Sequence, residues 1–530
     1  MRRTFAGAWP LLRSSWRHSR ATVLAWASIG VLFSLLGVGC YDLLFPDPSD
    51  VASMETAVVA NPAISLVMGP AADLSTRDGF GAWLNVGLGA FFLAIGMAML
   101  VVRSSRGQED DGQAELFASG VLGRGARLAA AAALGIGGSL VAGLLSAVVA
   151  VLCGGTWGTQ LLVGAILCVT GWMGTGIAAV AAQLGSDKHT ADTLAVGALG
   201  VLYVLRGFCY ALDLPEWTIW ANPMGWMAQA NPVGDERWWP LLPGVALAVV
   251  LLTVAVVLQG RRDFAAGALT PAPGPGRGRV RSVGALTWRL NRSNVLTWVL
   301  VFVVFGVMFG YFMSDSEDTL ATNPAIQELL QAGGAAQSDL TTQMLVTVLT
   351  VLGVLAAVPA AQGLFKLRSE ETADRVEPVL ATGVSRTRLF GSTVGLALAA
   401  TTVELALAGL LVGVIARAGG VDLSLGDVLA QTAATLPAVW TFLAIAAAFA
   451  GLWPRGRALT WVAIMASFLL TILGPMMQLS DAVLSISPFH HVPAVADADP
   501  SWTGLVVVGA IDVVLLVVGF LSFRRRDVNA

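Results

Sequence analysis

The sequence predicts an all-α polytopic membrane protein, with twelve transmembrane helices arranged as two parallel six-helix repeats and both termini cytoplasmic. Three observations carry that expectation. The chain is 56% hydrophobic and 12% charged over 530 residues, with a mean hydropathy of +0.74, which is more apolar surface than a globular interior of that size can hide. Long uncharged runs recur along its whole length, about six per half reaching the roughly 20 residues that cross a ~30 Å hydrocarbon layer. Scarce residues also return at one constant offset: Asn61-Pro62-Ala63-Ile64 as Asn323-Pro324-Ala325-Ile326, and Arg106, Glu109, Glu115 and Arg124 as Arg368, Glu371, Glu377 and Arg386. Trp16, Arg17, Arg20 and Trp26 recur as Trp288, Arg289, Arg292 and Trp298, and Arg261-Arg262-Asp263 as Arg525-Arg526-Asp527. Chance matches among Ala, Val and Leu are common, but charged residues and Trp are scarce in this chain, so the repetition reads as a true duplication.

In the first copy the spans are expected near 21–42, 80–102, 128–152, 160–184, 191–212 and 241–259. In the second they fall near 294–314, 343–365, 389–416, 427–452, 457–478 and 503–523. The domains are then 1–263, a six-helix half with an N-terminal interfacial helix; 264–282, a cytoplasmic linker; and 283–530, the second half. Phe5, Trp9, Leu12 and Trp16 fall on one helical stripe with Arg13, Arg17 and Arg20 elsewhere, the pattern of a helix lying flat at the inner surface. The linker, Pro271-Ala272-Pro273-Gly274-Pro275-Gly276-Arg277-Gly278-Arg279, has no capacity for a packed core.

Basic residues beside a span resist translocation and so set its orientation. With the N-terminus inside, the 31 Lys and Arg fall on the cytoplasmic side except Arg77, Arg237 and Arg417 outside and Arg206 within a span. An even number of spans makes both copies insert the same way up, as a multi-pass protein of the cell membrane. Cys40, Cys153, Cys168 and Cys209 all lie in the first copy, mostly inside spans, which argues against a disulfide framework. The first apolar run is as long as a full span and lacks a small-residue cleavage site, so no signal peptide is expected to be removed.

The substantial inner loops join the second and third spans of each copy, at about 103–127 and 366–388, and they hold the recurring Arg and Glu residues. In Arg368-Ser369-Glu370-Glu371-Thr372-Ala373-Asp374-Arg375-Val376-Glu377-Pro378, Glu371 and Arg375 are four apart and meet on one helical face, while Pro378 disfavours helix at the residue before it. A short charged surface helix is expected. Topology alone asks only for Lys and Arg. Glu at the same two positions of both copies fits a docking site for a cytosolic partner, where ion pairs set register and partner choice.

The segments 109–124 and 371–386 carry a family resemblance, as do Leu205-Arg206-Gly207, Trp220-Ala221-Asn222-Pro223-Met224-Gly225-Trp226 and Glu236-Arg237-Trp238-Trp239-Pro240-Leu241-Leu242. Across essentially the whole chain the sequence resembles the membrane permease subunits of actinobacterial ABC-2 type exporters, the fused two-copy permeases described as exporters of polyketide antibiotics or multidrug efflux permeases. The resemblance implies that the loop between spans 2 and 3 is a coupling helix seated on a cytosolic ABC ATP-binding subunit. Arg106, Glu109, Glu115, Arg124, Arg368, Glu371, Arg375, Glu377 and Arg386 then become the coupling candidates. It further implies two copies of that subunit, which would hold ATP and Mg, and amphipathic or hydrophobic small-molecule cargo moved out of the cell. The second copy has Ser487-Pro488-Phe489-His490-His491 where the first has Asn222-Pro223-Met224-Gly225-Trp226, so the two outer caps are not expected to match.

ATP must come from another chain. A phosphate-cradling loop requires G-x-x-x-x-G-K-[ST], and neither Lys188 nor Lys366 follows such a glycine pattern. With no nucleophile elbow, zinc helix or CxxC pair, the chain itself is expected to be no enzyme and to bind no cofactor, no metal and no nucleic acid. His490-His491 lack companions at ligand spacing and read as outer-surface polar residues.

Ionisable residues inside spans are costly in lipid and mark a role, which singles out Arg206, Glu404 and Asp512. Arg206 and Glu404 each lie about 15 residues beyond the inner end of an outward-running span, ~22 Å up, and a contact between them near an outer gate is the expectation. Snorkelling or pairing with Asp213 is the plainer alternative for Arg206, and an interhelical hydrogen bond for Glu404 and Asp512. A second functional reading is a proton-coupled secondary drug transporter, which also has two parallel six-helix halves and would use Asp512 or Glu404 as proton carriers. Against it, Asp374-Arg375 lacks the flanking glycines of that class's motif, and the outer loops are long. A polytopic membrane enzyme ranks last for want of a catalytic constellation.

Overall fold

The computed structural model describes residues 5–46, 51, 68–70, 73–110, 123, 125–211, 214–261, 267, 278, 280–322, 337–472, 480–496 and 500–526. Among the described residues every regular element is helical, as a lipid environment with no water to satisfy open backbone requires. The long helices are α1 (Ala8–Gly39), α2 (Arg77–Asp110), α3 (Ala126–Leu152), α4 (Trp157–Leu184), α5 (Lys188–Tyr210) and α6 (Leu241–Arg261). They continue as α7 (Val283–Ser314), α8 (Thr341–Thr372), α9 (Arg386–Ala418), α10 (Leu425–Leu452), α11 (Ala458–Ile472) and α12 (Thr503–Arg525). Among the described residues 11 of them are long and apolar enough to cross a membrane. The exception is α11: the span expected over 457–478 is described as helix only to Ile472. The chain is a multi-pass, all-helical membrane protein.

The helices gather into two compact units, Met1–Gly274 and Pro275–Ala530. In the first, α1 packs on α3, α3 on α4, and α4 on both α2 and α6. In the second, α7 packs on α9, α9 on α10, and α10 on both α8 and α12. The same positions in the order of helices therefore pair in each unit.

Small residues let these backbones meet. A Cβ on Gly143 of α3 would stand 2.3 Å from the Gly164 carbonyl oxygen of α4, and one on Gly451 of α10 would stand 2.5 Å from the Gly519 carbonyl oxygen of α12. Such close approach supplies helix association where lipid removes the hydrophobic drive. Polar groups add to it: the Ser34 and Ser146 hydroxyls lie 2.7 Å apart, and Asn85 donates to Ser34 at 3.2 Å, joining α1, α2 and α3.

Helix ends differ from the sequence expectation. Ala8–Ser34 is one uninterrupted α-helix, so nothing separates the expected flat interfacial segment from the first span. No Gly or Pro follows Pro10 until Gly30, and Pro10 sits in the first turn, where its missing N–H costs nothing. Leu12 and Trp26 both pack against the core of the unit.

Candidate functional site

Each unit closes one end with charge, at the side where α2 and α8 finish. In the first unit α2 widens into a π turn at Arg103–Gly107, a local distortion that re-aims side chains. Arg106 turns inward there and is 1% exposed. Its Nη1 donates to Glu109 at 2.6 Å and its Nη2 to the Ser186 carbonyl between α4 and α5. Arg127, in the first turn of α3, donates to the other oxygen of Glu109 at 3.1 Å. Asp110 accepts the Lys188 backbone N–H at the start of α5 at 2.5 Å.

Asp187 caps α5, accepting the Thr190 backbone N–H at 2.9 Å and its hydroxyl at 2.8 Å. Partial burial pushes its carboxyl upward. The bonds from Thr190 and Ser186 outweigh that and hold it below the usual aspartate value.

In the second unit α8 ends where Asp374 takes φ 56°. The Asp374 N–H bonds the Glu371 carbonyl and the Arg375 N–H bonds that of Glu370, both at 3.0 Å. This Schellman closure stops the helix and swings Arg375 off the face of Glu371. The pair expected four residues apart is therefore not made, and Arg375 bonds Glu370 at 2.8 Å instead. Glu371 is 1% exposed. It receives Arg368 at 3.0 Å and Arg526, from beyond the end of α12, on its two oxygens at 2.7 and 2.8 Å. Arg386, the first residue of α9, donates to the Arg526 carbonyl at 2.5 Å. Pro378 does not bar helix as expected. It sits in the first turn of a short helix, Glu377–Ala381, where no N–H is needed.

Burial sorts the coupling candidates. Arg106, Glu109, Arg368 and Glu371 are turned into their units and Arg386 is half-buried, whereas Arg375 and Glu377 stand on the surface. Glu115 and Arg124 lie outside the described residues. Arg127, Asp110 and Asp187 escape a reading by repeats because their partners are not at helical spacing. Arg526 is visible only as part of the recurring Arg-Arg-Asp, with nothing in the sequence to link it to Glu371.

The intramembrane residues have distinct settings. Arg206 is 3% exposed and lies within its own unit, its guanidinium 4.5 Å over the Tyr203 ring. Asp213, its alternative partner, lies outside the described residues. Among the described residues no hydrogen-bond donor reaches Glu404 Oε2 or either oxygen of Asp512, although both side chains are buried. The Thr441 hydroxyl, close to Asp512, bonds the Pro437 carbonyl at 3.2 Å. Among the described residues no interhelical hydrogen bond thus accounts for Glu404, whereas the Thr441 hydroxyl of α10 stands beside Asp512 of α12.

Glu404 lines a small cleft of about 20 Å³ between α7, α8 and α9, together with Asn291, Asn294, Pro359, Gly363 and Thr393. A second cleft, of about 60 Å³, shares Asn291, Gly363 and Thr393 and extends to Lys366, Glu370 and Arg375. The residues that the two clefts share lie on the side of the charged end of the unit. Among the described residues no three His, Cys, Asp or Glu side chains are grouped to hold a metal ion, and the four cysteines are free thiols.

A protein-family profile described as "Multidrug efflux system permease Rv1217c, C-terminal domain" matches residues 280–524. Over 531 residues, covering 99% of this chain and 96% of the relative, the chain is 31% identical to the multidrug efflux system permease protein Rv1217c of Mycobacterium tuberculosis (strain ATCC 25618 / H37Rv).

Proposed function

Because the chain belongs to the family of the multidrug efflux system permease Rv1217c, we propose that it is the permease subunit of an ABC-type exporter. It moves amphipathic or hydrophobic compounds, antibiotics among them, out of the cell. Power comes from a separate cytosolic ATP-binding subunit in two copies, which holds the ATP and Mg. The helices span the cell membrane as two parallel halves of six, with both termini and both charged ends in the cytoplasm. The repeated pairing of helices in the two units supports that arrangement.

The observation that carries the mechanism is the clamp that closes α8 just before the exposed helix Glu377–Ala381, in which Glu371 bonds Arg368 and Arg526, and Arg386 bonds the Arg526 carbonyl. Arg375 and Glu377 form the ledge that the ATP-binding subunit grips. Beneath them Glu371, with Arg368, Arg526 and Arg386, ties together the ends of α8, α12 and α9. A displacement of the ledge therefore moves those helices together and reshapes the cleft that α8 and α9 line. In the first unit Arg106, Glu109 and Arg127 join α2, α3 and the α4–α5 turn in the same way.

Reconstitution tests this reading. Export from proteoliposomes should require the co-purified ATP-binding subunit and its hydrolysis of ATP. Drug movement by this polypeptide alone, driven by a pH gradient, would overturn the reading in favour of a proton-coupled secondary transporter.

A further inference from the structure

We infer that a cleft at the start of α2 binds an uncharged aromatic amphipath that presents oxygen acceptors. Its role as a cargo subsite of the first unit rests on the export reading. The cleft has a volume of about 250 Å³ and lies between the first turns of α2 and the segment that leads into α6. Val86, on its wall, stands roughly 30 Å along α2 from the buried Arg106, at the opposite end of the unit from the charged clamp. The body of the cleft is apolar at Met68, Ala82, Val86, Ala228 and Val233, and Trp83 adds an aromatic wall. Gln229, Asn231 and Arg237 add N–H donors to the lining. Arg237 is the only ionisable residue among the described lining, and Asp235 already pairs with it. The mouth therefore offers donors without a net charge. A few polar groups on an apolar hollow are what orient a small amphipathic ligand.

Both walls are fixed in place, as a pre-formed site requires. On one side, a Cβ on Gly79 would stand 1.7 Å from the Asp73 carbonyl oxygen and one on Gly87 2.6 Å from that of Met68, so segment 68–73 lies directly on the α2 backbone. Trp83 donates to the Gly69 carbonyl at 3.2 Å. On the other side, the short helix Ala228–Ala230 ends at Asn231, with φ 43°. The Arg237 N–H returns to the Ala230 carbonyl at 2.8 Å and the Glu236 N–H to that of Asn231 at 3.2 Å. The second unit supplies the contrast. At the offset of the duplication, Leu345 and Val348 of α8 stand where α2 has Trp83 and Val86, and each is 2% exposed. That face of α8 is closed.

Benzophenone, an uncharged aromatic ketone that near-ultraviolet light joins to neighbouring C–H bonds, tests the inference on the purified full-length chain in lipid nanodiscs. Labelling mapped by mass spectrometry should saturate at Met68 and on peptides covering 79–86 and 228–233. Excess diphenyl sulfone, of similar shape and with acceptor oxygens, should suppress those labels in the unmodified chain, which keeps the test independent of how any variant folds. Benzhydryltrimethylammonium, a permanent cation of similar size, should leave them. Ala228→Phe should fill the cleft and abolish the saturable labelling, and Gln229→Leu should weaken it about five-fold by removing one donor. Labels that the sulfone leaves unchanged, equal suppression by the ammonium, or undiminished labelling in a folded Ala228→Phe would overturn the proposal. Partner-dependent export without this labelling would sink this inference alone. Suppressible labelling without any partner-dependent export would sink the export reading alone.

Discussion

Arg526, beyond the last helix, places its Nη2 2.7 and 2.8 Å from the two carboxylate oxygens of Glu371 at the end of α8. The two residues are 155 positions apart in the chain, and their contact closes the charged end of the second unit. Their side chains keep only 1% and 10% of their exposure, so an ion left there without its partner is costly.

Glu371→Ala should leave Arg368 and Arg526 crowded without an anion and cost about 3–5 kcal/mol. Arg375→Ala removes a partner from a pair whose arginine is 63% exposed and should cost less than about 1 kcal/mol. Thermal midpoints of the purified protein compare the two. Equal losses would abolish the distinction between an inner clamp and an outer ledge.

Reversing the ledge without touching the clamp should separate fold from coupling. Arg375→Glu combined with Glu377→Arg is expected to keep the thermal midpoint while weakening co-purification with the ATP-binding subunit and lowering export. An unaltered yield of partner from the pull-down would refute the ledge.

Asp374 occupies the left-handed region that glycine adopts without strain. Asp374→Gly should leave stability unchanged or raise it by a few tenths of a kcal/mol, whereas Asp374→Val should lower it by about 1 kcal/mol. The opposite order would mean that this turn does not end α8.

Two glycines of α3 predict opposite outcomes. At Gly143 an added Cβ stands 2.3 Å from a backbone oxygen of α4, while Gly137 has nothing within 4 Å. Gly143→Leu should part the two helices and reduce the folded yield. Gly137→Ala should be neutral or stabilise by up to about 1 kcal/mol through helix propensity. Denaturant midpoints read both.

Asp187 is held below its usual value although burial acts against it. A carboxyl depressed by folding contributes stability above its unfolded pKa, about 3.9, and that contribution fades as pH falls through the folded value. The first turn of α5 should therefore open on acidification below about pH 4, seen as faster hydrogen exchange at Thr190 after correction for intrinsic rates. Asp187→Ala should open it at neutral pH as well and cost about 1 kcal/mol. Protection at Thr190 that ignores both changes would exclude this cap.

The sequence by itself determined the membrane-spanning, all-helical class, because hydrophobic length is written along one dimension and needs no partner to be read. It also singled out Arg106, Glu109, Arg368 and Glu371 by their recurrence, since charged residues are scarce here. Which way those residues face was decided only by tertiary packing. Glu109 and Glu371 turn inward because Arg127 and Arg526 arrive from other helices, and no helical spacing connects them. The local rule that pairs Glu371 with Arg375 failed because one residue between them, Asp374, left the helix. Glu404 was marked as costly by its place in an apolar run. Whether it met a donor or an opening depended on how α7, α8 and α9 came together, and packing left it facing a cleft.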